Sequence, residues 1–207
     1  MKRPPDAGLL VVFEGIDGAG KSTQARWLAG RLGEVGVPQV FSREPTDGPH
    51  GRRLRDSATC GRLPAAEELA LFMADRRDHV TRLILPSLQA GRVVVLDRYY
   101  FSTAAYQGAR GMDWRGILRQ NETFAPEPDL LFWFDLPAES SQQRIGSRGE
   151  VANDFERLDG LRAVAGIYAE ITRGLPYVHR LDARKGIDEL RDEIWQVISP
   201  RLRWVAG

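Results

Sequence analysis

Cysteine is almost absent. Cys60 is the only one in 207 residues, so no internal disulfide can form. That excludes a disulfide-stapled scaffold and suits a reducing compartment. Histidine is scarce too: His50, His79 and His179 show no metal-ligand spacing. Each is expected on a solvated surface. No apolar run is long enough to span a bilayer, and Met1-Lys2-Arg3-Pro4-Pro5 is not followed by the apolar core of a signal segment. A cytoplasmic protein is therefore expected. Neither sign of charge dominates: the net charge is +1. That balance argues against a nucleic-acid or membrane partner. Internal repeats and low-complexity tracts are missing as well.

What is present is a glycine-rich stretch, Gly15-Ile16-Asp17-Gly18-Ala19-Gly20-Lys21-Ser22-Thr23. It fits G-x-x-x-x-G-K-[ST], the phosphate-binding P-loop. The apolar run Leu9 to Phe13 before it reads as a buried parallel strand. After it, Ala25, Leu28, Ala29 and Leu32 recur at helical spacing, so a helix begins near Lys21. Glycines let backbone N–H groups turn inward around a phosphate, and the helix N-terminus adds partial positive charge. Gly15, Gly18, Gly20, Lys21, Ser22 and Thr23 are expected around the phosphates of ATP. Lys21 would reach the β- and γ-phosphates, and the Ser22 hydroxyl would ligate Mg²⁺.

Four more strand-like runs follow, at 39–41, 92–96, 129–135 and 176–181. Helical patterns separate them, among them a long one from Pro64 to about Ala90 that Pro86 is expected to kink, and a last one over 187–198. Alternation of strand and helix predicts an α/β fold: a P-loop NTPase-like, five-stranded parallel sheet with helices on both faces. One domain over residues 8–207 is expected, behind a loose tail at 1–7. Ligands of such sheets bind beyond the strand C-termini, where the P-loop, Glu44, Asp97 and Arg98 would gather. Asp97 ends an apolar strand, as a Walker-B acid does, and could hold Mg²⁺ directly or through water. A helix N-cap is the plainer role for it. Arg98 could fork onto a phosphate.

Several motifs together resemble the thymidylate kinase family. They are Phe13 to Gln24, Arg43-Glu44-Pro45 with Gly51 to Arg55 behind it, Leu71-Phe72-Met73-Ala74-Asp75-Arg76, Asp97-Arg98-Tyr99, and Ser102 with Ala105-Tyr106-Gln107-Gly108. The resemblance runs from about residue 9 to 198, in matching order. It implies γ-phosphoryl transfer from ATP to the 5′-phosphate of dTMP, and a homodimer. By the same resemblance Asp17 approaches the sugar 3′-hydroxyl and orders nearby arginines, and Glu44 lies near the sugar and the metal. Arg55 and Arg98 grip the acceptor phosphate. Phe72 stacks on thymine, and Arg76 donates to its O4. Thr103 and Gln107 meet the base edge, and Tyr106 lies over the sugar.

Positions 16 to 19 of the P-loop carry no basic residue. The branch of the family with that feature supplies its extra cations from a mobile lid, here at about 142–156. Arg144 and Arg148 sit there, and Gly146 and Gly149 permit closure. Two departures stand out. Many bacterial members read Arg-Glu-Pro-Gly-Gly-Thr where this chain has Arg43-Glu44-Pro45-Thr46-Asp47-Gly48. The lid here reads Asn153-Asp154-Phe155-Glu156 where Asp-Arg-Phe-Glu is common, one arginine fewer. Two other functions use similar parts. A deoxynucleoside kinase, or a kinase for another monophosphate, shares the P-loop, but a hydroxyl acceptor needs a general base, and Arg55 with Arg98 favours a phosphate acceptor. A non-catalytic nucleotide switch would have no use for lid arginines.

Overall fold

The computed structural model describes residues 8–147 and 158–204. Its strands are β1 (Leu10–Gly15), β2 (Gln39–Arg43), β3 (Val93–Asp97), β4 (Leu130–Asp135) and β5 (Val178–Asp182). They form one sheet in the order β2-β3-β1-β4-β5, and every pair is parallel. β1 and β3 are buried along their whole length, whereas the edge strands β2 and β5 are largely half-exposed. The sequence carries the same gradient. Continuous apolar runs build the centre, and mixed runs such as Val178-His179-Arg180 build the edge.

Nine α-helices occur among the described residues: α1 (Lys21–Glu34), α2 (Pro49–Cys60), α3 (Ala65–His79), α4 (Leu85–Gln89), α5 (Tyr100–Ala109), α6 (Trp114–Glu122), α7 (Ala138–Gly146), α8 (Leu158–Thr172) and α9 (Ile187–Ile198). α1 packs on α9 and against β1, β2 and β3, while α5 packs on α3, α6 and α8 and against β1. Alternate side chains of β1 point to opposite faces and all are buried, so both faces are covered. Leu10, Val12, Val94, Leu96, Leu131 and Phe132 sit fully inside this core.

The expected helix over 64–90 is divided. α3 runs into a π-helical segment, Val80–Ile84, before α4. There the Leu85 N–H reaches back to the Val80 carbonyl. Pro86 explains the widening, because it donates no N–H and its ring crowds the carbonyl four residues earlier. α2 is 12 residues long. It starts with Pro49 in its first turn, and Gly51 lets that turn lie on the preceding loop: a Cβ there would come within 2.0 Å of the Thr46 carbonyl.

The register brings the C-terminal ends of three strands level. Phe13 and Arg43 both pair with Asp97. The P-loop after β1, the loop after β2 and Arg98 after β3 therefore emerge together.

Candidate active site

The donor side is built by the loop between β1 and α1. Gly15 has a φ of 143°, and a Cβ on it would meet the Phe134 carbonyl at 2.6 Å. Gly20 precedes α1 with a φ of 95° and offers no side-chain cap, and the first turn holds no acid. The first amides of α1 thus have no local anion and suit a phosphate. Lys21 is buried, and its ammonium donates to the Ile16 carbonyl at 2.6 Å. Burial, reinforced by Arg98, pulls its amine down to about 8. Ser22 is half-buried and Thr23 exposed. Ser141 of α7 pins the loop by donating to the Asp17 carbonyl at 2.5 Å. Arg144 bridges the same loop to the turn after β5, donating to the Gly18 carbonyl at 3.4 Å and the Ala183 carbonyl at 2.9 Å. Arg148 lies outside the described residues.

Asp97 is 7% exposed, and its Oδ1 is buried with no hydrogen-bond partner among the described residues. An orphaned carboxylate oxygen this deep calls for a cation or water. Mg²⁺ fits it, since that ion keeps most of its shell as water and phosphate oxygens and needs only one or two carboxylates.

The acceptor side is a cavity of about 260 Å³ lined by Asp17, Glu44, Arg55, Phe72, Arg76, Arg98, Thr103, Tyr106 and Gln107, with Pro45, Leu54 and Tyr99 among its apolar walls. Every residue expected to bind the acceptor is in that lining. Arg98 has a left-handed φ of 70°, a conformation that costs a non-glycine residue on the order of 1 kcal/mol or more. Three partners hold it there. It donates to Ser102 Oγ at 3.0 Å, to Tyr106 Oη at 3.3 Å and to Asp17 Oδ1. Tyr106 in turn donates to the other Asp17 oxygen at 2.7 Å. Burial opposes ionisation of Asp17, but Arg98 and Lys21 outweigh it and hold the carboxyl below its ordinary range. Burial also pushes the Tyr106 phenol up, so it stays a donor.

Behind Arg98 lies a group that pattern reading passed over. Glu14 is fully buried. Its Oε1 accepts from the Tyr99 and Ser102 amides at 2.7 and 3.2 Å, which caps the start of α5 from across the sheet. Its Oε2 accepts from the Ser102 and Tyr168 hydroxyls at 2.5 and 2.7 Å. Burial raises its pKa against those donors.

At the base end, Arg76 is 1% exposed. It donates from Nε and Nη2 to Glu44 Oε2 at 2.8 and 2.5 Å, from Nη1 to Asn121 Oδ1 at 2.8 Å, and from Nη2 to Thr103 Oγ1 at 2.9 Å. His79 meets the other Glu44 oxygen through Nδ1 at 2.9 Å. This corrects one expectation. His79 is buried rather than solvated, because Phe72, Arg76 and His79 recur at one helical face turned inward; His50 and His179 are half-buried. Glu44 has its two oxygens engaged by Arg76 and His79. Burial opposes its charge, and Arg76 with His79 still holds its pKa below the usual range.

Gln107 spends its amide N–H on Glu68 at 2.7 Å, and Arg62 and Arg110 pair with the same acid. Among the described residues its carbonyl carries only a long bond from Arg110, at 3.4 Å. Arg55 donates to the Pro45 and Thr46 carbonyls at 2.9 and 2.7 Å and to Asp47 at 2.8 Å. The unusual Thr46-Asp47 pair therefore has work here. Asp47 is an anion for Arg55, and Thr46 binds Asp75 through its amide at 2.8 Å and its hydroxyl at 2.6 Å.

Two anion-receiving regions thus meet at one end of a parallel sheet. Backbone amides make the first and arginines the second, which defines a P-loop phosphotransferase acting on nucleotides. The thymidylate kinase family model matches residues 13–194. The thymidylate kinase of Akkermansia muciniphila is 48% identical over 97% of this chain and 96% of its own length. That of Desulfotalea psychrophila is 47% identical over 92% and 94%, and that of Xanthomonas campestris pv. campestris 46% over 94% and 85%. The chain belongs to the thymidylate kinase family.

Proposed function

We propose that this protein transfers the γ-phosphoryl group of ATP to the 5′-phosphate of dTMP, giving dTDP and ADP. The reading is carried by Arg76. Four of its five N–H groups are taken by Glu44, Asn121 and Thr103. The remaining Nη1 hydrogen has no protein acceptor among the described residues, and Arg76 lines the acceptor cavity. A fixed donor there matches the O4 carbonyl of thymine and repels the exocyclic amine of cytosine.

Phosphoryl transfer needs two anions brought into line with their charge neutralised, and little covalent help. Lys21 and the amides of the P-loop hold the donor phosphates. Arg98, aligned by Asp17, Tyr106 and Ser102, receives the acceptor phosphate together with Arg55. Asp97 and Ser22 would hold Mg²⁺, which would neutralise charge on the donor phosphates. Phe72 stacks on the base, and the ring of Tyr106 crowds the place of a 2′-hydroxyl. In the lid, about 142–156, Arg148 acts on the transferring group and Arg144 on the donor nucleotide. The working form is a homodimer of single-domain chains over residues 8–207, in the cytoplasm.

Coupled ADP-release assays with dTMP, dCMP, dGMP, AMP and thymidine test the assignment. dTMP is expected to have the highest kcat/KM. Comparable kcat/KM for dCMP would sink it, and turnover of thymidine alone would favour a nucleoside kinase. For the lid, Arg148→Ala is expected to lower kcat roughly 10³-fold with ATP affinity little changed. An effect on ATP affinity alone would make Arg148 a binding contact.

A further inference from the structure

His79 is not explained by the chemistry above. It ends α3 one turn after Arg76 and is 5% exposed, with both ring nitrogens bonded. Nδ1 lies 2.9 Å from Glu44 Oε1, and Nε2 lies 2.8 Å from the Ser42 hydroxyl on β2. A carboxylate only accepts, so Nδ1 carries a hydrogen, and the Ser42 hydroxyl meets the other ring nitrogen.

Glu44 is the link. Its carboxylate turns about a broad terminal torsion, so its own rotamer does not fix its plane. Oε2 takes two hydrogens from Arg76, so that edge of the guanidinium follows the position of Oε2. Among the described residues only the bond from His79 holds Oε1. We propose that His79, braced by Ser42, is a positioning residue for base selection: it fixes Glu44, and through Glu44 the guanidinium whose one remaining hydrogen meets a base carbonyl. A donor that can swing loses its power to reject an amine at that place, because the rejection depends on a fixed, buried, unmatched hydrogen. This deepens the proposed function and rests on its assignment of Arg76 to the thymine carbonyl.

Steady-state kinetics with dTMP and dCMP test it in His79→Gln, His79→Asn, Ser42→Ala and Arg76→Gln, with folding followed by thermal melting. His79→Gln keeps the bulk but moves the amide beyond the Nδ1 position. It is expected to raise KM for dTMP about tenfold, to leave kcat within about twofold, and to lower the dTMP-to-dCMP ratio of kcat/KM about tenfold. His79→Asn, whose amide nitrogen can stand at the Nδ1 position, should restore most of that ratio. Ser42→Ala should shift it the same way as His79→Gln, but less. A purely structural histidine would lower the melting temperature and leave the ratio alone. If Arg76→Gln lowers the ratio while His79→Gln and Ser42→Ala do not, the positioning role is overturned and Arg76 stands. If Arg76→Gln leaves the ratio unchanged, the base-reading assignment itself falls, and the role of His79 with it.

Discussion

The donor and acceptor sides of the site solve different problems. The P-loop is nine consecutive residues, and most of what it offers a ligand is backbone. The acceptor cavity draws side chains from α2, α3 and α5 and from the ends of β1, β2 and β3, and nearly all of them hold one another. Phosphates are the same in every nucleotide, so amides turned inward suffice for them. A base has to be told from other bases, and that takes donors fixed in place. Fixing them means burying charge, which is tolerable only when each buried group has its partner. The donor side therefore depends on few side chains and the acceptor side on many, and damage to the two should look different.

The largest expected effect is on the donor side. Lys21→Ala should lower kcat at least about 10³-fold at saturating ATP. Its melting temperature should stay near that of the parent, since a buried ammonium held by one carbonyl adds little to the fold. A kcat close to normal would break the assigned division. Second is Glu44→Ala, which leaves the Arg76 guanidinium buried without its counter-charge. Urea unfolding should show a loss of about 3–5 kcal/mol, against little loss for Lys21→Ala. Equal stability in the two variants would remove the contrast.

A smaller effect concerns pH. With its pKa near 8 in the free protein, Lys21 starts to lose its proton there, and bound phosphates would restore its charge. ATP binding should take up protons at pH 8.5 and hardly any at pH 7, measured by titration calorimetry in buffers of different ionisation enthalpy. Affinity for ATP should fall as pH rises through 8. Stability of the free protein moves the other way. The folded pKa lies below the unfolded one, so the unfolded chain binds more protons from pH 8 to about 10.5, and stability rises with pH across that window. Proton release on ATP binding would contradict this picture.

The smallest effect is a control with similar charges in water. A groove at the C-terminal ends of β4 and β5 is lined by ion pairs, Arg162 with Glu139, Arg180 with Asp135, Arg184 with Asp182 and Lys185 with Glu193. Arg162→Ala should leave melting and turnover within experimental scatter, because a solvated pair adds little. A clear loss would mean that the exposed groove matters more than burial suggests.

The same division sets what a reader of the sequence could find. The five strands and the P-loop are local signals: apolar runs, glycines and a helical period within a few residues of one another. The π segment before α4 is not, because Pro86 announces a disturbance without saying which form it takes. Glu14 is hidden because its partners Tyr99, Ser102 and Tyr168 lie 85, 88 and 154 residues away. Asn121 and Glu68 are hidden for the same reason. His79 had a usable signal. Phe72, Arg76 and His79 form one helical stripe, and a polar residue on a stripe that turns inward needs a buried partner. Scarcity and spacing decided the expectation for His79 instead, and both were silent about its face.

The central place of β1 has a consequence for how the protein is made. β1 leaves the ribosome first, yet Leu10 pairs with Val94, and Val11 with Leu130. At 5–20 residues per second, roughly 6–24 s of translation separate the strand from its second neighbour. Until β3 is made, Leu10, Val11, Val12 and Phe13 have neither of their two partner strands, and one edge of β1 stays open until β4 follows. The phosphate loop cannot be held in shape until β4 arrives, because Gly15 is seated against Phe134. Nucleotide can therefore stabilise the finished sheet but cannot serve as a template for its early assembly.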